Sequence, residues 1–396
     1  MTTTTKRWLA RWMLLNCALL VGLALAEAAA RLVGAVSPPL TERDVVVGQR
    51  LVRNFDGWVY DAEARQKIPV RTNGEGLRGP DWSEQKPGGV RRVAVLGDSM
   101  IAALGVEEPR TLVAQLEQLL NRQSAGGPRW EVMNFGVPGS STGQQLALWR
   151  ATVQRYRPDV VLCAFFVGND LSDNSPRMSN NPRIYFDLDP SGRLVQLPMS
   201  ATKTGVSTWL NRYCRLYLWQ KLLVRNIRDQ WMKRNEVLET GHWIYSQQES
   251  PDVAHAWRLT GALLNEFSQE VRQQGARFGV VLLPSAQQIY TDSLTKLLPA
   301  AGAYAAHFDA DHPDRHLAEL CQASGVPLLS LTADFRRAAP DRTLAKADQW
   351  LYFRGEGHFN ARGNQVAAEV IGRWMAAGNP PPLSTANRSA TCPPTR

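Results

Sequence analysis

Three short apolar runs, each ending in a glycine-bearing polar motif, most constrain what this 396-residue chain can fold into. Val93 to Leu96 runs into Gly97-Asp98-Ser99, Val132 to Phe135 overlaps Asn134-Phe135-Gly136-Val137-Pro138-Gly139, and Val160 to Val167 runs into Gly168-Asn169-Asp170. Runs this short and this apolar suit strands buried on both faces of a sheet. Between and after them apolar residues return at helical spacing: Leu112, Leu116, Leu119 and Leu120, then Leu146, Trp149 and Val153, then Leu259, Leu263, Phe267 and Val271. Phe278 to Leu283 and Val326 to Leu331 read as two more strands, His316 to Ala323 as a helix and Ala361 to Met375 as the closing helix. Strand alternating with helix predicts an α/β protein whose parallel sheet of about five strands is covered by helices on both faces.

Open α/β sheets bind ligands beyond the carboxyl ends of their strands, where all three motifs fall. Taken singly they are ordinary: Asp98 and Ser99 suit a helix cap, Gly139 a turn after Pro138, and Asn169 a cap after a strand. A fourth motif changes their weight, because Glu356-Gly357-His358-Phe359-Asn360 lies near the end of the chain. Together the four supply the parts of an acyl-transferring serine enzyme. Ser99 is the candidate nucleophile, His358 its base and Glu356 the orienting carboxylate; Gly139 and Asn169 are candidate donors to an oxyanion.

In their order and content these motifs resemble the blocks of the SGNH (GDSL-type) hydrolase superfamily, over roughly residues 90 to 376 with a long insertion after the third block. The resemblance implies a three-layer α/β/α, flavodoxin-like SGNH hydrolase fold with strand order 2-1-3-4-5. It implies that Ser99 is the nucleophile, and that the Ser99 N–H, Gly139 and Asn169 form the oxyanion hole. Relatives usually carry an acid two or three residues before the histidine, often Asp. Gly355 stands three before His358 here, so the carboxylate is Glu356. Asp98 and Asp170 are supporting residues, Asp170 steadying the third-block loop. Neither a cofactor nor a metal is expected. His242, His255, His307, His312 and His316 read as surface histidines, and the i, i+4 pair His312 and His316 has no matching ligand pair in the sequence.

The N-terminus reads as an export signal. Lys6, Arg7 and Arg11 precede an apolar stretch from Trp12 to Ala26, and a positive flank holds that end in the cytoplasm while the chain beyond the stretch crosses the membrane. Ala24-Leu25-Ala26 resembles a cleavage site, but Ala28, Ala29, Ala30, Leu32 and Val33 prolong the apolar stretch, so a retained anchor over residues 1–34 is favoured over a cleaved signal peptide. The catalytic domain is therefore expected outside the cytoplasm, periplasmic or extracellular. Five cysteines with no regular spacing suggest neither a disulfide framework nor a metal site. The formal charge of +9 favours anionic partners, but no nucleic-acid module is present.

Residues 35–90 are rich in Gly, Pro and charge and read as an irregular connector; within them Arg71 to Arg78 resembles the segment that often precedes the catalytic domain in membrane-anchored bacterial relatives. Residues 91–378 form the hydrolase domain, interrupted at about 173–252. In that insertion Arg183 to Val195 reads as a hairpin turning at Pro190 to Gly192, followed by a basic helical stretch from about Ser207 to Trp231. That stretch is either a solvated face, a lid, or a surface lying on anionic membrane. Residues 379–396 read as a disordered tail. The leading expectation is an exported serine esterase acting on short acyl esters of an envelope or exopolysaccharide glycan. The alternatives are a polysaccharide O-acetyltransferase, suggested by Leu283-Pro284-Ser285 with Ile289-Tyr290, a catalytically inactive glycan-binding domain, and a membrane-acting lipase or phosphodiesterase.

Overall fold

A computed structural model describes residues 3–33, 37, 40–61, 66–124, 126–179, 181, 183–199, 205–232, 240–290, 307–339, 350–353 and 357–381. The chain opens with helix α1 (Thr3–Val33), then two antiparallel pairs, β1 (Thr41–Asp44) with β2 (Gly48–Leu51) and β3 (Asp56–Asp61) with β4 (Gln66–Arg71). The stretch expected to be irregular is thus partly strand. Ile68 and Val70 alternate with polar residues in β4, and Pro69 between them is tolerated because a two-stranded pair leaves an open edge for a residue with no N–H.

The core continues as β5 (Val90–Gly97), α2 (Ser99–Ala102), α3 (Leu112–Gln123), β6 (Arg129–Gly136), α4 (Thr142–Ala151), β7 (Val160–Phe166) and α5 (Asp170–Asn174). The insertion carries the hairpin β8 (Phe186–Leu188) and β9 (Leu194–Gln196), then α6 (Val206–Tyr213) and α7 (Arg215–Met232), the expected long helix broken at Cys214. The core resumes with α8 (Pro251–Gln273), β10 (Arg277–Leu283), α9 (Ala286–Ile289), α10 (His312–Ala323), β11 (Leu328–Ser330), α11 (Thr332–Ala338) and α12 (Ala361–Ala376).

One five-stranded sheet, ordered β6-β5-β7-β10-β11 with every neighbour parallel, organises the molecule. Counting core strands alone, that is the order 2-1-3-4-5. Successive side chains point to opposite faces of a strand. Leu96, Cys163, Phe165 and Leu282 accordingly pack with Trp149, Trp257 and Leu317 of α4, α8 and α10. Val95, Leu162 and Leu283 pack with Leu116, Phe335 and Ile371 of α3, α11 and α12. Burial on both sides explains why these strands read as unbroken apolar runs, and the three layers make this the expected α/β/α fold. The first residues of the expected tail are ordered against this layer, Arg277 Nη1 donating to the Pro380 carbonyl at 3.1 Å; residues 382–396 lie outside the described residues.

Among the side chains that tie the N-terminal segment to the core, Arg78 makes the most polar contacts to one turn. Arg78 is buried, and its guanidinium donates to the carbonyls of Ala102, Ala103 and Val106, where α2 ends in a left-handed residue. Arg78→Met should therefore strand three acceptors and lower stability by about 2–4 kcal/mol, read as a reduced denaturant midpoint with an unchanged slope.

Candidate active site

The Ser99 turn is set by steric fit and by polar clamps. β5 ends at Gly97, Asp98 caps α2 by accepting from the Met100 N–H at 2.8 Å, and Ser99 opens the helix. α2 lies so close to β6 that a Cβ on Gly136 would come 2.3 Å from the Ala102 nitrogen. Asn134, in the same motif, donates from Nδ2 to the Ile101 carbonyl at 3.0 Å and accepts from the Gly136 N–H at 2.9 Å. Sheet, Asn134 and Arg78 thus hold one turn of helix from three sides.

His358 reaches that turn from the far end of the chain, with Nε2 2.8 Å from Ser99 Oγ. Its loop is short and clamped. Asn360 caps α12 by accepting from the Arg362 and Gly363 N–H groups at 2.9 and 3.0 Å, while its Nδ2 donates to the Trp350 carbonyl at 2.8 Å. The backbone of Phe353 donates to the His358 carbonyl at 2.8 Å, and Gly357 takes φ +73°, which suits a residue without a Cβ. Glu356, the expected orienting carboxylate, and Asp348 lie outside the described residues. Asp334 is committed to surface ion pairs with Arg337 and Arg373 at 2.7 and 3.1 Å.

Gly139 is exposed at the end of the second motif with φ +71°. Both carbonyls flanking its N–H are held: Gln49 Nε2 donates to the Pro138 carbonyl at 2.7 Å, and Arg183 Nη1 donates to the Gly139 carbonyl at 3.1 Å. Because a trans peptide is planar, fixing the Pro138 C=O also fixes the direction of the Gly139 N–H on its opposite side. Asn169 Nδ2 donates one hydrogen to Asp173 Oδ2 at 2.9 Å, which leaves the second available. Asp173 is in turn paired with Arg183 at 2.9 Å, both largely buried, so one ion pair links the Gly139 and Asn169 loops.

Three of these groups were not legible as site residues. Asp173 had the best signal, standing four residues after Asn169 on what becomes one helical turn. Arg183 and Gln49 come from the hairpin and from the N-terminal segment, and nothing in their local sequence marks them. His255 corrects its surface reading: it is buried in α8, with Nε2 2.7 Å from Asp187 Oδ1 of the hairpin. Ser285 and Tyr290, which suggested a transferase, are used internally, Ser285 Oγ against the Tyr245 hydroxyl and the Tyr290 hydroxyl accepting from the Leu351 N–H at 3.0 Å.

The family model of the GDSL-like lipases and acylhydrolases matches residues 95–366, well over half of the chain. The chain belongs to that family. It is accordingly an ester-hydrolysing enzyme. Similar solved structures include an acetyl xylan esterase at 15% identity, covering 72% of this chain and 98% of the other with a TM-score of 0.39. An α/β hydrolase from the metagenome of Lake Arreo, Spain, is 15% identical over 74% and 97% with a TM-score of 0.39. A catalytic mutant of an acetylxylan esterase from Geobacillus stearothermophilus is 13% identical over 74% and 95% with a TM-score of 0.38. Comparison with curated protein sequences finds no match.

Two buried carboxyls underlie the site of this GDSL-family chain. Burial pushes Asp98 up to about 6, against the opposing pull of the Met100 N–H and a charged His358. Burial, and then the charge of Asp98, push Asp170 well above the ordinary carboxylate range, although its Oδ2 accepts from the Phe166 N–H at 3.0 Å. Asp98 Oδ2 and Asp170 Oδ1 are both buried with no hydrogen-bond partner among the described residues. A raised folded value means that Asp98 favours the folded state below the ordinary 3.8 and that this support is lost as pH climbs to about 6. Asp98→Asn keeps the cap without the ionisation. Its stability relative to the native chain should rise by about 2–3 kcal/mol between pH 4 and pH 7 and stay level above that, measured by denaturant unfolding across the range.

Proposed function

We propose that this protein is a membrane-anchored serine esterase whose catalytic domain lies outside the cytoplasm, and that it removes short acyl groups from hydroxyls of an envelope or exopolysaccharide glycan. The observation that carries the reading is the 2.8 Å contact between His358 Nε2 and Ser99 Oγ. His358 takes the Ser99 proton as Oγ attacks the ester carbonyl. The oxyanion is held by the Ser99 and Gly139 N–H groups and by the free amide hydrogen of Asn169, and Glu356 stabilises the imidazolium. Collapse expels the sugar alkoxide, which takes the proton from His358, and leaves an acyl group on Ser99. Water then repeats the sequence, giving its proton to His358 and releasing the carboxylic acid.

The polar surroundings of the donors favour a carbohydrate. Gln49, Arg183 and Asp173 all lie beside Gly139 and Asn169, and such groups suit sugar hydroxyls better than a long acyl chain. Ser99→Ala should abolish both fluorophosphonate labelling and turnover of acetylated oligosaccharides. Asn169→Ala should lower kcat about 10²–10³-fold with little change in KM. A series of acyl esters, run with and without an unacetylated oligosaccharide, separates hydrolysis from transfer. Labelling that survives in Ser99→Ala would overturn the nucleophile, and preference for long acyl chains would overturn the substrate class.

Retention of α1 has its own support. Helix α1 holds a candidate membrane span, Arg7–Val33 of 27 residues, which at 1.5 Å per residue is about 40 Å long against a hydrocarbon core of ~30 Å. Glu27 near its end caps α7, accepting from the Arg215 and Leu216 N–H groups at 2.9 and 2.8 Å, while Arg31 donates to the Tyr213 carbonyl at 2.7 Å. Trp209, Trp219, Leu223 and Val224 are exposed on the adjoining helices α6 and α7, as suits an interfacial layer. The protein extracted from membranes should need detergent and should show the intact mass including residues 1–33. A product shortened at Ala26 would mark a cleaved signal instead.

A further inference from the structure

Away from Ser99, two helices and a returning loop bring together three side chains that ligate metals. Glu249 stands just before Ser250, which caps α8, and His312 and His316 stand one turn apart at the start of α10. The sequence alone offered no partner for the histidine pair, because Glu249 is more than sixty residues away. Backbone pairing supplies it. Gln247 donates to the His307 carbonyl at 2.9 Å and Asp309 to the Tyr245 carbonyl at 2.8 Å, and Ser246 bridges Phe308, which lays the loop before Glu249 against the approach to α10.

The three side chains converge. Glu249 Oε1 is 3.4 Å from His312 Nε2 and 3.1 Å from His316 Nδ1, and one ligand atom from each residue lies within 4.8 Å of the other two. A tetrahedral zinc ion with bonds of about 2.0–2.1 Å sets its ligands about 3.3–3.4 Å apart. All three side chains are mostly shielded from solvent, with 15–23% of each exposed. The His316 ring is fixed by stacking on buried Trp257, centroids 4.3 Å apart and planes 7° from parallel. His312 Nε2, though buried and close to the carboxylate, makes no hydrogen bond among the described residues. A cluster held by hydrogen bonds alone would leave that nitrogen unsatisfied, whereas a cation gives its lone pair a partner.

We propose that Glu249, His312 and His316 bind one divalent transition-metal ion of the zinc type, separate from the catalytic machinery. Two imidazoles and one carboxylate suit zinc better than calcium or magnesium, which prefer oxygen ligands, and a water completes the tetrahedron. The helix dipole at the start of α10 opposes a cation, and the negative charge of Glu249 offsets it. The role is structural: the ion ties the point where the insertion re-enters the core to the helix that leads into β11, the edge strand of the sheet.

The test uses the full chain in detergent, stripped with a chelator and dialysed free of it. Zinc titrated by calorimetry should bind at one equivalent and raise the unfolding temperature, while cobalt(II) should give the intense visible absorption of a tetrahedral site with nitrogen ligands. Ester turnover of the stripped and loaded protein should agree within about twofold, as expected of a metal that does not touch the reaction. His316→Ala and Glu249→Gln should each weaken zinc binding by about a hundredfold or more. His312→Gln should lose the cobalt spectrum, and this milder replacement serves if His316→Ala does not fold. Absence of stoichiometric binding to the native chain, or undiminished affinity in the folded variants, overturns the site.

Discussion

Everything in the site hangs on one close approach, that of the α2 turn to strand β6. Gly136 leaves no room for a side chain beneath Ala102, so the turn that carries Ser99 is pressed onto the sheet and cannot slide outward. Packing of this kind fixes position more sharply than a hydrogen bond, because repulsion climbs far more steeply as atoms are pressed together than attraction weakens as they part. The polar clamps from Asn134 and Arg78 then act on a turn whose height above the sheet is already determined. A histidine on a loop 259 residues away can meet Ser99 at 2.8 Å only because neither partner has freedom to drift.

Aim matters as much for the proposed oxyanion donors. A backbone N–H has no rotamer of its own, so its aim can be controlled only through the peptide plane. Gln49 and Arg183 act on the carbonyls on either side of the Gly139 N–H, and they come from outside the α/β core, from the N-terminal segment and from the insertion. These additions therefore bear on the site without supplying a reacting group. Preorganised donors of this kind need not reorient as charge develops, which is the source of their effect on a transition state.

Much of the fold was legible because the sheet is buried on both faces. Continuous apolar runs such as Val160 to Phe166 leave little doubt about a strand, and glycine-bearing motifs at their ends mark the carboxyl edge. The hairpin of the insertion was legible from its turn residues, and β8 and β9 pair as expected around Pro190 to Gly192. What escaped had no local pattern. The short pairs β1–β2 and β3–β4 are too polar to announce themselves, and His255 looks like a surface residue until Asp187, 68 positions away in sequence, is found against it. Gln49, Arg183 and Glu249 owe their surroundings to tertiary contacts, and a residue type alone says nothing about what the fold will bring beside it. Ser99, Gly139, Asn169 and His358 were visible because each sits inside a short motif of restricted composition. Asp173 was a borderline case, since its spacing from Asn169 is helical but the helix spans only Asp170–Asn174.

The buried charges complete the physical account of the site. Asp98, Asp170 and Asp173 crowd behind the motif loops with Arg183 as the cation paired to one of them. Three ionised carboxylates against one guanidinium would be prohibitive at this depth, and the fold resolves it by keeping Asp170 neutral and letting Asp98 ionise only near pH 6. Asp173 is the member held by partners, Arg183 at 2.9 Å and the Asn169 amide at 2.9 Å. The net charge behind the site then changes as Asp98 titrates. Above pH 6 the anionic form of Asp98 therefore adds a negative charge directly behind the turn that carries Ser99.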